Sequence, residues 1–287
     1  MNGSIDPRES AMVDAEREVR ELERKLEEAR SRLKGLDVRN NATPPPLSLS
    51  YTDPASHFLL LLSDSALPLG AFAFSSGLES YLAHTANNLT PRAPQPFTTF
   101  LPESISSFAS TNLPFALAAH DDPTSLPELD DVQDAMTMCA VGRRASTAQG
   151  RALLSVWERS FAGSVAESRA SATLRRLAGD VKKGAAPGHL SPVFGAVCRA
   201  VRIERGKMAY VLIMSHVKAL VSAAVRAGVM GPFKAQEVLG CEDVRRMVSV
   251  AMAREWKTSV EDAGQMVPVM DLWIGRHEVL YSRIFNS

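Results

Sequence analysis

Residues 130–134 read DDVQD, the sharpest candidate for chemistry in the chain. On a helix this spacing puts Asp130 and Asp134 one turn apart on the same face, with Asp131 beside them. Carboxylates so arranged suit a hard cation such as magnesium, which prefers oxygen ligands, and through it a diphosphate. The chemistry would be that of a magnesium-dependent, all-α prenyl-type enzyme. Such a site needs a second acidic motif on a facing helix, and the sequence offers none. Leu126, Pro127 and Glu128 precede the triplet. The same residues therefore suit a helix start, where carboxylates complement the backbone dipole.

Other catalytic patterns are missing. There is no GxxxxGK[ST] phosphate loop and no GxSxG nucleophile elbow. The six histidines, at 57, 84, 120, 189, 216 and 277, form neither HExxH nor an (i, i+4) pair. With Cys139, Cys198 and Cys241 they give no zinc-type spacing. His216 falls in an apolar stretch and reads as a core histidine. The eleven methionines read as core filler. We read the chain as no enzyme, with no catalytic residues and no metal ligands of its own.

Bulk properties narrow the class. The chain has 287 residues, 45% of them hydrophobic, enough for one sizeable core. Lys plus Arg and Asp plus Glu both number 32, so no basic excess points to nucleic acid. Three scattered cysteines fit a reducing compartment. The first residues are charged and resemble no signal peptide. The apolar run Phe58 to Leu62 is far shorter than the roughly 18 residues of a membrane span. A cytoplasmic location without membrane association is expected.

The elements that must position any site are helical. In residues 12–36, Met12, Ala15, Val19, Leu22, Leu26, Ala29, Leu33 and Leu36 alternate at spacings of 3 and 4. That is a short coiled-coil-like pattern, although a single solvated helix fits it as well. Residues 37–56, with three consecutive prolines, read as an extended linker. From 57 onward the pattern predicts an all-α, bundle-like domain of roughly eight to ten helices. Among these are amphipathic stretches Leu153 to Phe161 and Ser164 to Leu177, and a central helix over 206–228 that is apolar on nearly every face. Further helices are expected over 232–239, 243–257 and 268–279, with breaks at 85–96, 121–127 and 179–192.

Residues 63–79, SDSALPLGAFAFSSGLE, form a helix–loop–helix corner broken by Pro68 and Gly70. Ser76 followed by Glu79 predicts a capping box. Phe72 and Phe74 either tuck inward or face a partner, inward being the commoner fate of phenylalanine. This corner resembles the D/S–LPxGxF and SxGLE signature of the urease accessory protein F (UreF) family. RRASTAQGRALL (143–154), SPVFGAV (191–197), SHVKALVSAAVRAGVMGPFKAQEVL (215–239) and the tail VPVMDLWIGRHEVLYSRIFNS are similar, in order, to later pieces of that family's pattern. The resemblance covers about 57–287, leaving 1–56 outside it. Phe74 departs from the family, many of whose members have His or Tyr there, and 180–190 looks like a longer loop than usual.

The resemblance implies an all-helical, dimer-forming chaperone of urease maturation. It would bridge a UreD-type (UreH-type) accessory protein and the UreG GTPase, and so help deliver nickel into apo-urease, with a modulating effect on GTP hydrolysis. Nickel and GTP would be carried by the partners. Candidate partner-binding residues are Pro68, Gly70, Phe72, Ser75, Ser76, Gly77 and Glu79 in the corner. Gln149, Gly150 and Arg226 are added from two helices, and Asp271, His277, Glu278, Tyr281, Arg283 and Phe285 from the tail. The tail is rich in Trp, Tyr and Arg, residue types favoured at interface hot spots. It either docks on a partner or caps the core. Gly150 either permits close packing or marks a surface, and Arg226 either complements a helix C-terminus or contacts a partner. The magnesium enzyme and a generic coiled-coil scaffold built on 12–36 stay open beside this reading.

Overall fold

The computed structural model describes residues 21–27, 53–85 and 96–286. The chain divides into two compact units, Met1–Asp53 and Pro54–Ser287. In the first, residues 21–27 are helical and exposed, Leu22 and Leu26 included. Glu21 lies 3.5 Å from both Arg24 and Lys25. The rest of the heptad stretch, and the linker reading up to Thr52, fall outside the described residues.

In the second unit every described regular element is helical. The α-helices are α1 (Pro54–Ser63), α2 (Leu78–Thr85), α3 (Pro96–Asp121), α4 (Leu126–Met136), α5 (Ala140–Val156) and α6 (Arg169–Lys182). They continue with α7 (Leu190–Ala200), α8 (Arg205–Arg226), α9 (Pro232–Gly240), α10 (Glu242–Glu255) and α11 (Val269–Arg276). That is eleven described α-helices in this unit, one more than the roughly eight to ten expected. α1 opens at Pro54, inside the stretch read as linker, because proline fits a first helical turn.

α8 is the apolar helix expected at the centre. Met208, Leu212, Ile213, Val217, Leu220 and Ala224 are buried along it. By length and composition it could cross a membrane, but 61% of its apolar window is already buried within the protein. Gly228 ends it at φ 73°, a left-handed conformation that glycine adopts without a Cβ clash. α3 is the longest of the described helices, at 26 residues, and runs through Pro102 and Pro114. Each proline lacks an N–H, so packing must hold the helix together. α3 lies against α7, α8 and α10. A Cβ on Gly195 of α7 would meet the Ala116 carbonyl oxygen at 2.1 Å, so that glycine sets the α3–α7 approach.

Two expected helices differ at their ends. The stretch to Phe161 closes in a π-turn, Trp157–Phe161. The next helix starts at Arg169 and not near Ser164, because the Ser168 side chain accepts from the Ser171 N–H at 3.1 Å and caps it. The break read at 179–192 shrinks to the residues between Lys182 and Leu190.

Candidate functional site: a corner tied to the chain end

The corner between α1 and α2 is built from tight turns. Asp64 accepts from the Ala66 N–H at 2.9 Å. Gly70 sits at φ 71°, and a single 3₁₀ turn, Ala71–Ala73, follows it. Ser76 and Gly77 also have positive φ, at 50° and 89°. A Cβ on Gly77 would lie 3.0 Å from the Ile274 N atom, so α11 approaches at a place that only glycine leaves open. Pro68 and Gly70 are exposed, while Phe72 and Phe74 are half-buried.

The expected capping box is not formed. Ser75, fully buried, takes the capping role that Ser76 was assigned: its hydroxyl accepts from the Glu79 N–H at 3.4 Å and its carbonyl from the Leu78 N–H at 3.0 Å. Ser76, in the left-handed region, turns away from that geometry. The Glu79 carboxylate does not fold back onto the helix start. It accepts from His277 Nε2 at 2.8 Å, the Ile284 N–H at 2.6 Å and the Phe285 N–H at 3.2 Å. One side chain thereby holds a tail more than 190 residues away in sequence.

Further ties surround it. The Asn286 N–H donates to the Ala73 carbonyl at 2.8 Å. Arg226, at the end of α8, donates to the Phe72 carbonyl and lays its guanidinium 4.3 Å from the centre of the Phe285 ring. Burial lowers its pKa from the ordinary arginine value. Trp273 packs edge-on to Tyr81 at 5.4 Å. His277 and Phe285 are buried, whereas Glu278, Tyr281 and Arg283 are exposed. Glu278 pairs with Arg144 of α5 at 2.9 Å. The tail thus has an inward set that anchors and an outward set that faces solvent. Sequence reading missed three outward apolar residues, Leu272, Val279 and Ile284, all exposed. Their type alone suggested core.

The remaining candidates lie elsewhere. Gly150 is buried, and a Cβ there would meet the Gly188 carbonyl oxygen at 2.2 Å, so α5 packs directly on the 188–190 backbone. Gln149 donates to the Ala145 carbonyl of its own helix at 3.1 Å. Asp271 accepts from Gln265 at 3.0 Å.

The metal form of the DDVQD reading is corrected, and the helix start is found one turn before the triplet: α4 begins at Leu126 with Glu128 in its first turn, while Asp130 lies further along and is fully buried. Its two oxygens accept from the Gly188 N–H at 2.8 Å and the His189 N–H at 2.5 Å. Burial raises its pKa above the ordinary carboxyl value, and these two N–H groups oppose the rise. Asp134 instead pairs with His189 Nε2 at 3.1 Å, and Asp131 is exposed. The carboxylates hold the α6–α7 loop in place of a cation. Among the described residues no group of three or more His, Cys, Asp or Glu side chains could hold a metal ion.

The fold and this cluster define an all-helical protein whose chain end is locked onto a helix–loop–helix corner near its start. The UreF family profile matches residues 92–240. The chain is 35% identical over 232 residues to a protein described as an uncharacterized urease accessory protein UreF-like, from Schizosaccharomyces pombe, spanning 81% of this chain and 97% of that one. It is 32% identical over 230 residues to urease accessory protein F of Oryza sativa subsp. indica, with 78% and 82% covered. It is also 30% identical over 226 residues to urease accessory protein UreF of Paenarthrobacter aurescens, with 79% and 95% covered. The chain belongs to the UreF family.

Proposed function

We propose that this chain is an accessory scaffold of urease maturation, acting in the cytoplasm and not itself an enzyme. In this reading it bridges a UreD/UreH-type protein and the UreG GTPase as a homodimer, so that nickel reaches apo-urease, and it modulates GTP hydrolysis by UreG. Nickel and GTP belong to the partners as cargo and substrate. Family membership supports the urease connection. The observation that carries a docking role is the two-sided tail: His277 and Phe285 are sunk against Glu79 and Arg226, while Tyr281 and Ile284 point to solvent. Tyr281 is fully exposed. An aromatic and an aliphatic side chain held outward on an anchored segment lose little entropy when a partner covers them. The test is urease activity after deletion of this chain, with apo-urease protein quantified. Lost activity with urease protein still present, rescued by residues 54–287, supports the reading. Normal activity overturns it.

A further inference from the structure

A cavity of about 220 Å³ lies between α3, α4, α5, α8 and α11. For scale, an apolar cavity of about 150 Å³ accepts benzene. The rings of Phe74 and Phe108 and the thioether of Met138 stand in a wall that is chiefly apolar. Its charge is one-sided. Asp271 is the one carboxylate among the described residues that line it, and no lysine or arginine lines it. The one histidine there, His216, is neutral at pH 7, because burial lowers its pKa to about 4.

Asp271 is half-buried and held in place. Gln265 Oε1 accepts from the Val267 N–H at 3.0 Å, which leaves Nε2 to donate to Asp271 Oδ1 at 3.0 Å. The same loop is pinned to α3 by Ser110: its carbonyl accepts from the Gly264 N–H at 3.3 Å and its hydroxyl from the Met266 N–H at 3.4 Å. Among the described residues nothing pairs with Asp271 Oδ2. A half-buried negative charge without a counter-ion favours an occupant that brings the positive one, and partial loss of water strengthens the attraction. A metal ion matches poorly, since no three His, Cys, Asp or Glu side chains converge among the described residues. Aromatic rings and thioethers suit an organic ammonium whose apolar body they cover. We propose that the cavity binds a small organic cation, with its protonated amine on Asp271 and an apolar ring or chain against Phe74 and Phe108. The inference does not depend on the urease reading.

The probe is benzylamine, protonated at pH 7, titrated into the full chain by calorimetry and NMR. Benzyl alcohol is its neutral counterpart of similar size, and benzoate its anionic one. Benzylamine saturates and shifts the Met138 methyl signal, while benzyl alcohol and benzoate bind at least tenfold more weakly. Asp271→Asn removes the charge at unchanged size and lowers benzylamine affinity at least tenfold, to the level of benzyl alcohol. Ala145→Leu, which narrows the cavity, abolishes binding of both. Circular dichroism checks the folding of the two variants, and either one folded suffices. Absence of saturable benzylamine binding overturns the proposal, as does equal binding of benzyl alcohol. Saturation that leaves the Met138 signal unmoved, or binding unchanged in a folded variant, places the amine elsewhere and overturns it too.

Discussion

His216 stacks on Phe108 at 4.1 Å and shares a hydrogen bond with Ser104 at 3.0 Å. Its folded pKa of about 4 lies below the ordinary 6.5. Above pH 6.5 both folded and unfolded chains hold it neutral, so it adds no pH dependence. Below that, the unfolded chain takes up the proton first, and stability falls as pH drops towards 4 by up to about 3 kcal/mol. Urea midpoints for the wild type and His216→Gln, measured from pH 7 to 4, should converge as the wild type loses this advantage. Parallel curves would show that the imidazole is not held neutral. Gly150→Ala is a second residue-scale prediction: the new methyl overlaps the Gly188 carbonyl, so stability drops by about 2 kcal/mol or more in urea unfolding. Asp130→Ala strips the Gly188 and His189 N–H groups of their acceptor and lowers stability by about 3 kcal/mol, without any effect of added magnesium.

At the scale of elements, the tail is held by polar ties to the corner and by a buried ring. Glu79→Ala removes the acceptor for His277, Ile284 and Phe285 at once. It should cost about 2 kcal/mol and raise hydrogen exchange at the 284–286 amides, while α8 keeps its protection. Exchange unchanged at those amides would show that Phe285 and Arg226 alone suffice. Truncation after Gly275 is a blunter change, because it also removes the buried His277 and Phe285. Tyr281→Ala with Ile284→Ser touches only the outward set. Stability should stay within about 0.5 kcal/mol, while capture of a UreD/UreH-type partner and urease activation fall. Unaltered capture by the stably folded double variant would place the docking surface elsewhere.

At the scale of the whole molecule, the second unit, Pro54–Ser287, holds its own hydrophobic core. The core extends from Phe58 to Phe285, so both ends of the unit are built into it. Residues 54–287 should therefore fold alone, with a melting temperature close to that of the full chain, and should restore urease activity. A large drop in melting temperature on removing residues 1–53 would make the first unit part of the stabilising structure.

What the sequence determined by itself was largely local. Residues 206–228 are apolar on nearly every face, and such a segment has nowhere to go but the inside of an all-helical domain. Gly70 and Pro68 announced a corner, because few other residues serve at such turns. The order of motifs from the corner to the tail carried the family. Tertiary structure decided what each polar side chain does, since a carboxylate's partner depends on which backbone N–H groups the fold brings to it. Asp130 looked like a metal ligand and holds a loop; Glu79 looked like a local cap and holds the chain end. Both bond to groups more than 50 residues away, a separation that no short-range pattern encodes.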